Sequence, residues 1–443
     1  IIEQNAPHGL QHPSGDTLEV ADTFLEAGGD SIQIACPDIH ANWPYEAESQ
    51  DMAEYGKKMR KMVQDVKAAG LADKVVYVPF NEPDGQRYGE IRSNNNTRFL
   101  NDWLTIYKVI KEEDPNAKIA GTNCCYYIAN HMQAFVKFCA ENNCIPDQIT
   151  WHVLNDGELG NFSKNVANFR KLEKQYWLDP GLVDKEREIV INEYANFTDL
   201  GVPGRLTAYL GAFEDEKANA CLAYWHISNN LCDIAADSNE PNATWWLYKW
   251  YGEMSGETLK MNVQGASKTQ LYGVAALDDN KKVSNIIIGG KDGDVNLTLQ
   301  NVTKTETFKD AKKVKVKLEQ TNFTGINGVC DAPDLISEQI CEVDEKGCLE
   351  LVIPDAQEAA AYHVTLSQAA DDAPVQVISQ GAWKQLYEAE SAKFTGNVKF
   401  TAKSNRYPCS GTGQAQYIDH PGDSVTFSAE VPESGFYKFD MVY

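Results

Sequence analysis

Val75-Val76-Tyr77-Val78-Pro79-Phe80-Asn81-Glu82-Pro83-Asp84 is the stretch that decides the fold. A run of β-branched and aromatic residues reads as a buried strand, and Pro83 bars its continuation. The strand therefore ends by delivering Asn81 and Glu82 to the rim of a sheet. Ile189-Val190-Ile191-Asn192-Glu193-Tyr194 repeats the design. Outward from these two stretches, strand candidates at 31–36, 74–80, 118–122, 148–153, 188–191 and 220–226 alternate with helical stretches at 49–69, 95–113, 128–142, 165–177 and 203–214. Phe99, Trp103, Tyr107 and Ile110 recur on one face at helical spacing. Regular strand–helix alternation predicts a parallel sheet with helices outside it. No GxGxxG follows any of these strands, which argues against a dinucleotide fold.

The predicted class is α/β, a (β/α)8 TIM barrel over 1–256, with Trp245-Trp246-Leu247-Tyr248 in its last helix. Only six strand–helix units are readable, and Glu82 comes early among them, so the barrel is expected to lack its first two strands. The chain reads as beginning mid-domain, at Ile1-Ile2. After Gly256 the texture changes to short alternating runs separated by Gly, Asn and Asp, as in 284–288, 314–318 and 361–366. That predicts an antiparallel β-sandwich over 257–367. A linker is expected over 368–384, then a partial β-jelly-roll module over 385–443.

Composition narrows the partners. Sixty-four acidic and 40 basic residues leave a net charge of −24, which disfavours nucleic acid and anionic membranes. A neutral polysaccharide or oligosaccharide suits such a surface better. No apolar run reaches the ~20 residues of a membrane-spanning helix, so no membrane insertion is expected. Oligomeric state is not legible. Eleven cysteines show no paired zinc spacing, although Cys139 and Cys144 are close enough in sequence to bridge.

Two carboxyl groups at facing strand ends suit glycosidic-bond hydrolysis, where one protonates the leaving oxygen and the other attacks the sugar. In a barrel the strand ends form the active-site rim. Glu82 is expected to be the acid, with a carboxyl pKa raised by burial and by the second carboxylate. Glu193, three strand–helix units later, is expected to be the nucleophile. Asn81 is placed to bind a sugar hydroxyl, Tyr194 to donate to the nucleophile, and His152 to bind the sugar or the nucleophile. Trp225 offers a stacking face, Trp43 is expected to line a subsite, and Asn123 ends another strand. Trp103, Trp177 and Trp246 read as core. No redox cofactor or catalytic metal is implied.

The stretches 78–84 and 191–195 resemble the acid/base and nucleophile strands, four and seven, of clan A glycoside hydrolases. With the following β-sandwich and Trp225, the chain is similar to family 39 enzymes. The resemblance implies a secreted or cell-surface retaining hydrolase of xylan-, arabinan- or arabinogalactan-type glycan. Tyr387-Glu388-Ala389-Glu390, with Gly411-Thr412-Gly413 and 418–423, resembles the opening of a carbohydrate-binding module of family 6 or 35. There Glu388 and Glu390, on one face of a strand, would hold a structural calcium. The rival expectation is an inactive carbohydrate-binding or structural wall protein on the same barrel.

Overall fold

The computed structural model describes residues 2–10, 15–41, 51–85, 87–223, 234–236, 238–325, 327–380, 383–403, 409–439 and 441–442. The packing divides the chain into two units, 1–194 with 216–223, and 195–215 with 224–443. The sequence reading had drawn 1–256 as one domain.

The first unit is a parallel sheet with its helices interleaved. Its strands are β1 (Ile2–Asn5), β2 (Ile32–Ala35), β3 (Val75–Val78), β4 (Lys118–Cys124), β5 (Gln148–Trp151), β6 (Glu188–Tyr194) and β7 (Asn219–Leu222). All seven pair in chain order, each parallel to the next. Side chains from distant strands meet inside. Gln33 on β2 donates to Gln148 on β5 at 2.7 Å, and Asn192 on β6 donates to Glu3 on β1 at 3.0 Å. In a flat sheet, strands five places apart would lie roughly 24 Å from each other. The wall is therefore curled into a barrel.

The strand count corrects one expectation. β1 adds a strand that the sequence reading missed, so Glu82 follows the third strand and Glu193 lies on the sixth. The miss has a physical cause. Glu3 and Asn5 are the buried residues of β1, so the strand's interior face is polar and no apolar run marks it.

The helices are α1 (Thr17–Glu26), α2 (Met52–Ala68), α3 (Thr97–Glu113), α4 (Ala129–Asn142) and α5 (Asp156–Glu173). Helix α5 starts nine residues before its expected beginning at 165. The Asn155 side chain accepts from the Glu158 N–H at 3.0 Å and caps it. Phe80, Phe99, Trp103 and Phe135 form an aromatic wedge among β3, α3 and α4, with ring centroids 5.0–6.5 Å apart. Trp103 and Trp177 are buried, as expected, each donating its indole N–H to a backbone carbonyl. Cys139 and Cys144 are free thiols rather than a bridge, and no described cysteine is in a disulfide.

The second unit holds helices α6 (Pro203–Glu216, but for its last residue) and α7 (Ala243–Glu253) and a set of antiparallel strands. These are β8 (Glu257–Thr258), β9 (Tyr272–Asp278), β10 (Val283–Gly289), β11 (Gly293–Leu299), β12 (Lys313–Thr321), β13 (Asp334–Glu342), β14 (Leu349–Ala356), β15 (Ala361–Gln368) and β16 (Gln376–Gln380). Seven form one sheet, ordered β16-β13-β12-β15-β10-β9-β8, while β11 pairs with β14. Val314, Val316 and Leu318 alternate inward with Ile286, Ile288, Val364 and Leu366, and meet Val295, Leu349 and Ile353 of the second sheet. This is the expected sandwich. The expected linker is corrected, because β16 lies inside it and pairs with β13 at the sheet edge. The segment 195–215 packs here through Val202 on Phe323 and Ala359, and through Arg205 on Glu358 at 3.0 Å.

Beyond 385 the described residues form two small ladders. These pair β17 (Lys393–Thr395) with β20 (Ser424–Thr426), and β18 (Lys399–Ala402) with β19 (Gly413–Gln416).

Candidate active site

The rim of the parallel sheet brings Glu82, His152 and Glu193 together. Glu82 sits just past β3 in the left-handed region, at φ 43°. Its N–H donates to the Asn123 carbonyl at 2.9 Å, and its own carbonyl accepts from Gly85 at 2.9 Å. This clamped turn turns the Glu82 carboxyl inward. Asn192 and Glu193 are consecutive, yet both reach the interior, Asn192 to Glu3 and Glu193 to His152. Strand alternation would send them to opposite faces. The ladder between β6 and β7 slips in register between Ile191 and Tyr194, and such a bulge re-aims a side chain.

His152, following β5, is fully buried between the two carboxylates. Its Nδ1 lies 3.1 Å from Glu82 Oε1 and its Nε2 3.7 Å from Glu193 Oε1. One carboxylate oxygen from each glutamate lies within 4.8 Å of the other. Its backbone is fixed by donation to the Cys124 carbonyl at 2.9 Å.

The charges follow from this contact. Burial disfavours a charged His152, but the Glu193 and Glu82 carboxylates outweigh it and raise its pKa to about 9. Burial likewise pushes the Glu82 carboxyl up. The hydrogen bond and charge of His152, with Cys125 and Arg92, overcome it and hold Glu82 below the usual range. Burial raises Glu193, which His152 only partly offsets. The expectation of a raised Glu82 is corrected: in the free site the proton resides on His152, and Glu82 is the ionised partner. Glu3, buried beneath, is raised well above its ordinary value by burial and by Glu193.

The structure places two further expected site residues behind the rim. Asn123 is buried, at 1% exposure, behind the rim. Its Nδ2 donates to Asn81 Oδ1 at 3.0 Å, so it orients Asn81 rather than meeting a ligand. His152, fully buried, faces both carboxylates, which matches the nucleophile alternative of its expected role. Tyr194 is buried beside Glu193. Trp43 and Trp225 lie outside the described residues.

We expect Asn123→Asp, which cannot donate to Asn81, to lower kcat/KM about tenfold, the worth of one buried hydrogen bond. A 2-deoxy substrate should lose much less, since it lacks the hydroxyl that Asn81 is expected to bind. Equal losses on both substrates would refute the orienting role.

Glu388 and Glu390 lie at a 3-10 turn (Ala389–Ser391), not on the strand that the sequence suggested. Their carboxyls still converge. Ser410 Oγ donates to Glu388 at 2.9 Å, and the Thr412 N–H and hydroxyl donate to Glu390 at 2.6 and 2.8 Å. Gly411, at φ 55°, lies against both, and a Cβ there would collide with Glu390.

Sequence reasoning missed Glu3, Asp38 and Arg92. Asp38, buried two residues past Cys36, adds negative charge beneath Glu193. Its signal is the one used for Glu82, an acid just after a strand. Glu3 had a fainter signal, a lone acid beside Ile2.

No family model matches the sequence. A 3-O-β-L-arabinopyranosyl-α-L-arabinofuranosidase from Bifidobacterium pseudocatenulatum is 27% identical over 99% of this chain and 51% of its own length. A 3-O-α-D-galactosyl-α-L-arabinofuranosidase from Bifidobacterium longum subsp. longum is 26% identical over 100% of this chain and 44% of its own. The chain thus spans about half the length of the curated relatives it matches. Among solved structures, N2152 from Neocallimastix frontalis is 26% identical with a TM-score of 0.72, covering 83% of this chain and 89% of that one. A GH39 enzyme from Xanthomonas axonopodis pv. citri shares the fold, at TM-score 0.53 and 11% identity, over 83% and 93% of the two chains. The barrel and the sandwich are therefore a fold that this chain shares with these solved structures. Among the described residues, no helix is long and apolar enough to cross a membrane.

Proposed function

We propose that this chain carries the catalytic barrel of a secreted retaining glycoside hydrolase that releases arabinofuranosyl-linked units from plant cell-wall polysaccharide. The carrying observation is the approach of the Glu82 and Glu193 oxygens to within 4.8 Å. Retaining enzymes hold their carboxyls about 5–5.5 Å apart, while inverting ones need about 6.5–9.5 Å to admit water. The names of the curated relatives support the arabinofuranosyl class.

In the first step Glu193 attacks the anomeric carbon and the bond to the leaving oxygen breaks. Glu82 protonates that oxygen, supplied by the His152 Nδ1–H that it already contacts. In the second step Glu82 takes a proton from water, the water oxygen displaces Glu193, and the proton returns to His152. The proton count closes over the cycle. Asn81 holds the neighbouring hydroxyl, and the Tyr194 hydroxyl tunes Glu193.

Residues beyond 385 belong to a carbohydrate-binding module in this reading. Glu388 and Glu390 would hold a structural calcium. Burial, then repulsion from Glu390, raises Glu388 above its ordinary value, a cost that a hard cation would relieve. Chelation should then lower the melting temperature by several degrees, and calcium should restore it. A Glu388→Ala, Glu390→Ala double variant should be indifferent to both. A melting temperature that chelator leaves unchanged in the native chain would sink the calcium site.

The catalytic reading is tested by hydrolysis of 4-nitrophenyl α-L-arabinofuranoside, the matching xyloside and arabinogalactan, with the first-formed anomer read by NMR. Retention is expected. Inversion, or binding of arabinogalactan without cleavage, would overturn it, the second outcome in favour of an inactive binding protein.

A further inference from the structure

A second feature stands on the Glu82 side of the rim. Residues 123–126 run alongside 82–84, tied by the Glu82 N–H to the Asn123 carbonyl at 2.9 Å and by the Cys125 N–H to Asp84 Oδ1 at 2.8 Å. Asp84 is fully buried and also receives an Arg92 guanidinium N–H at 3.2 Å. That ion pair anchors the head of Arg92 while half of its side chain remains exposed, at 50%. The guanidinium carbon lies 5.5 Å from the centre of the Tyr126 ring. Tyr126 is itself 39% exposed, among the large aromatic residues that the structure leaves to solvent.

The geometry points to a leaving-group subsite in which the Tyr126 ring is a stacking platform and Arg92 a hydrogen-bond donor for the departing saccharide. This rests on the glycosidase reading above. The acid must touch the leaving oxygen, so the group attached to that oxygen lies on the acid's side of the rim. Cys125 touches Glu82 there, and beside it the residues with an exposed face are Arg92 and Tyr126. Arg92 also helps to hold the Glu82 carboxyl down, which places its charge within reach of the acid.

The chemistry selects a neutral sugar. A sugar ring has a C–H face that packs on an aromatic face, and hydroxyls at its edge that accept guanidinium N–H bonds. Arg92 is already neutralised by Asp84, and the chain carries a net charge of −24. Hydroxyls fit that environment, while a carboxylate-bearing sugar would meet a field of its own sign.

The test compares Tyr126→Ala and Tyr126→Phe with the native chain. Two substrates are used, an arabinogalactan oligosaccharide and α-L-arabinofuranosyl fluoride, whose leaving atom is too small to span the platform. The ratio of their kcat/KM values should fall about tenfold in Tyr126→Ala and return in Tyr126→Phe, since stacking needs the ring and not the hydroxyl. A ratio unchanged in Tyr126→Ala overturns the subsite. Equilibrium binding of the oligosaccharide to the same three proteins separates this from failure of the catalytic reading. If the native chain cleaves neither substrate, the hydrolase assignment fails. The platform then stands if Tyr126→Ala alone binds about tenfold more weakly, and falls if all three bind alike.

Discussion

Glu193→Gln is expected to lower kcat on every cleavable glycoside by on the order of 10⁴-fold or more, because covalent catalysts that lose the nucleophile retain only binding and electrostatic help. The substitution keeps the shape of the side chain and removes only its capacity to attack. Glu193 is buried, and it faces His152 from 3.7 Å, so an amide can remain in place there. Glu82→Gln should behave differently. Its loss should be severe with a poor leaving group and mild in the first step with an activated one, which departs without a proton. Small anions distinguish the two roles by product. Azide added to Glu82→Ala should enter from the side of the missing base and give a glycosyl azide with the substrate's configuration. Azide added to Glu193→Ala should take the nucleophile's place and give the opposite configuration. A Glu193→Gln protein with more than a tenth of native activity would remove Glu193 from the mechanism.

The second large effect concerns His152. His152→Ala is expected to reduce kcat/KM by about 10²–10⁴-fold, the usual range for a proton-transfer group. It should also narrow the pH profile from both sides. In the native chain the pair Glu82–His152 holds one proton, and burial against His152's charge is outweighed by Glu193 and Glu82, so that proton is kept up to about pH 9. The basic limb of kcat/KM should therefore lie near 9. Without the imidazole, Glu82 must keep the proton itself, and a carboxyl releases it at lower pH, so the basic limb moves down. The acidic limb reports Glu193, which must be ionised to attack. Burial raises it and His152's charge lowers it. Removing that charge raises it further, so the acidic limb moves up. A His152→Ala profile with native limbs would refute the shared-proton account, even if the rate had fallen.

Much of the barrel was legible from the sequence because its strands are buried on both faces. Runs such as Val75–Val78 are buried at every position, and an unbroken apolar run is visible in one dimension. The same reasoning explains what was missed. β1 faces the interior with Glu3 and Asn5, and a strand that lines a polar interior lacks that signature. β16 was hidden for a different reason. It is a sheet-edge strand in a stretch dominated by Ala, Asp, Pro and Gln, whose pairing with β13 depends on a partner more than 30 residues away.

The two carboxyls that the structure brings together were legible because each closes an apolar run that announces itself. Of their supporting groups, His152 was named and Glu3, Asp38 and Arg92 were not. Asn123 looked like a rim residue, since it ends a strand, but its left-handed backbone at φ 64° places it in the register slip of β4 against β5 and turns it behind Asn81. No spacing rule marks such a position. Arg92 and Tyr126 lie 34 residues apart and meet only because Asp84 ties both loops to the same turn.

By itself, the sequence determined that strands alternate with helices, that Glu82 and Glu193 arrive three strands apart, and that a β-rich region follows. Those facts are local, written in residue type and period. Only the tertiary structure decided where the site's proton rests. Burial and a second carboxylate nearby suggested a raised, protonated Glu82. The fold instead put His152 within 3.1 Å of one carboxylate and 3.7 Å of the other. Two negative charges around one buried imidazole stabilise its charged form, and the acid is left ionised until substrate arrives. A pKa depends on distance and burial, and both are set by contacts between residues as far apart as 82 and 152 that no one-dimensional pattern contains.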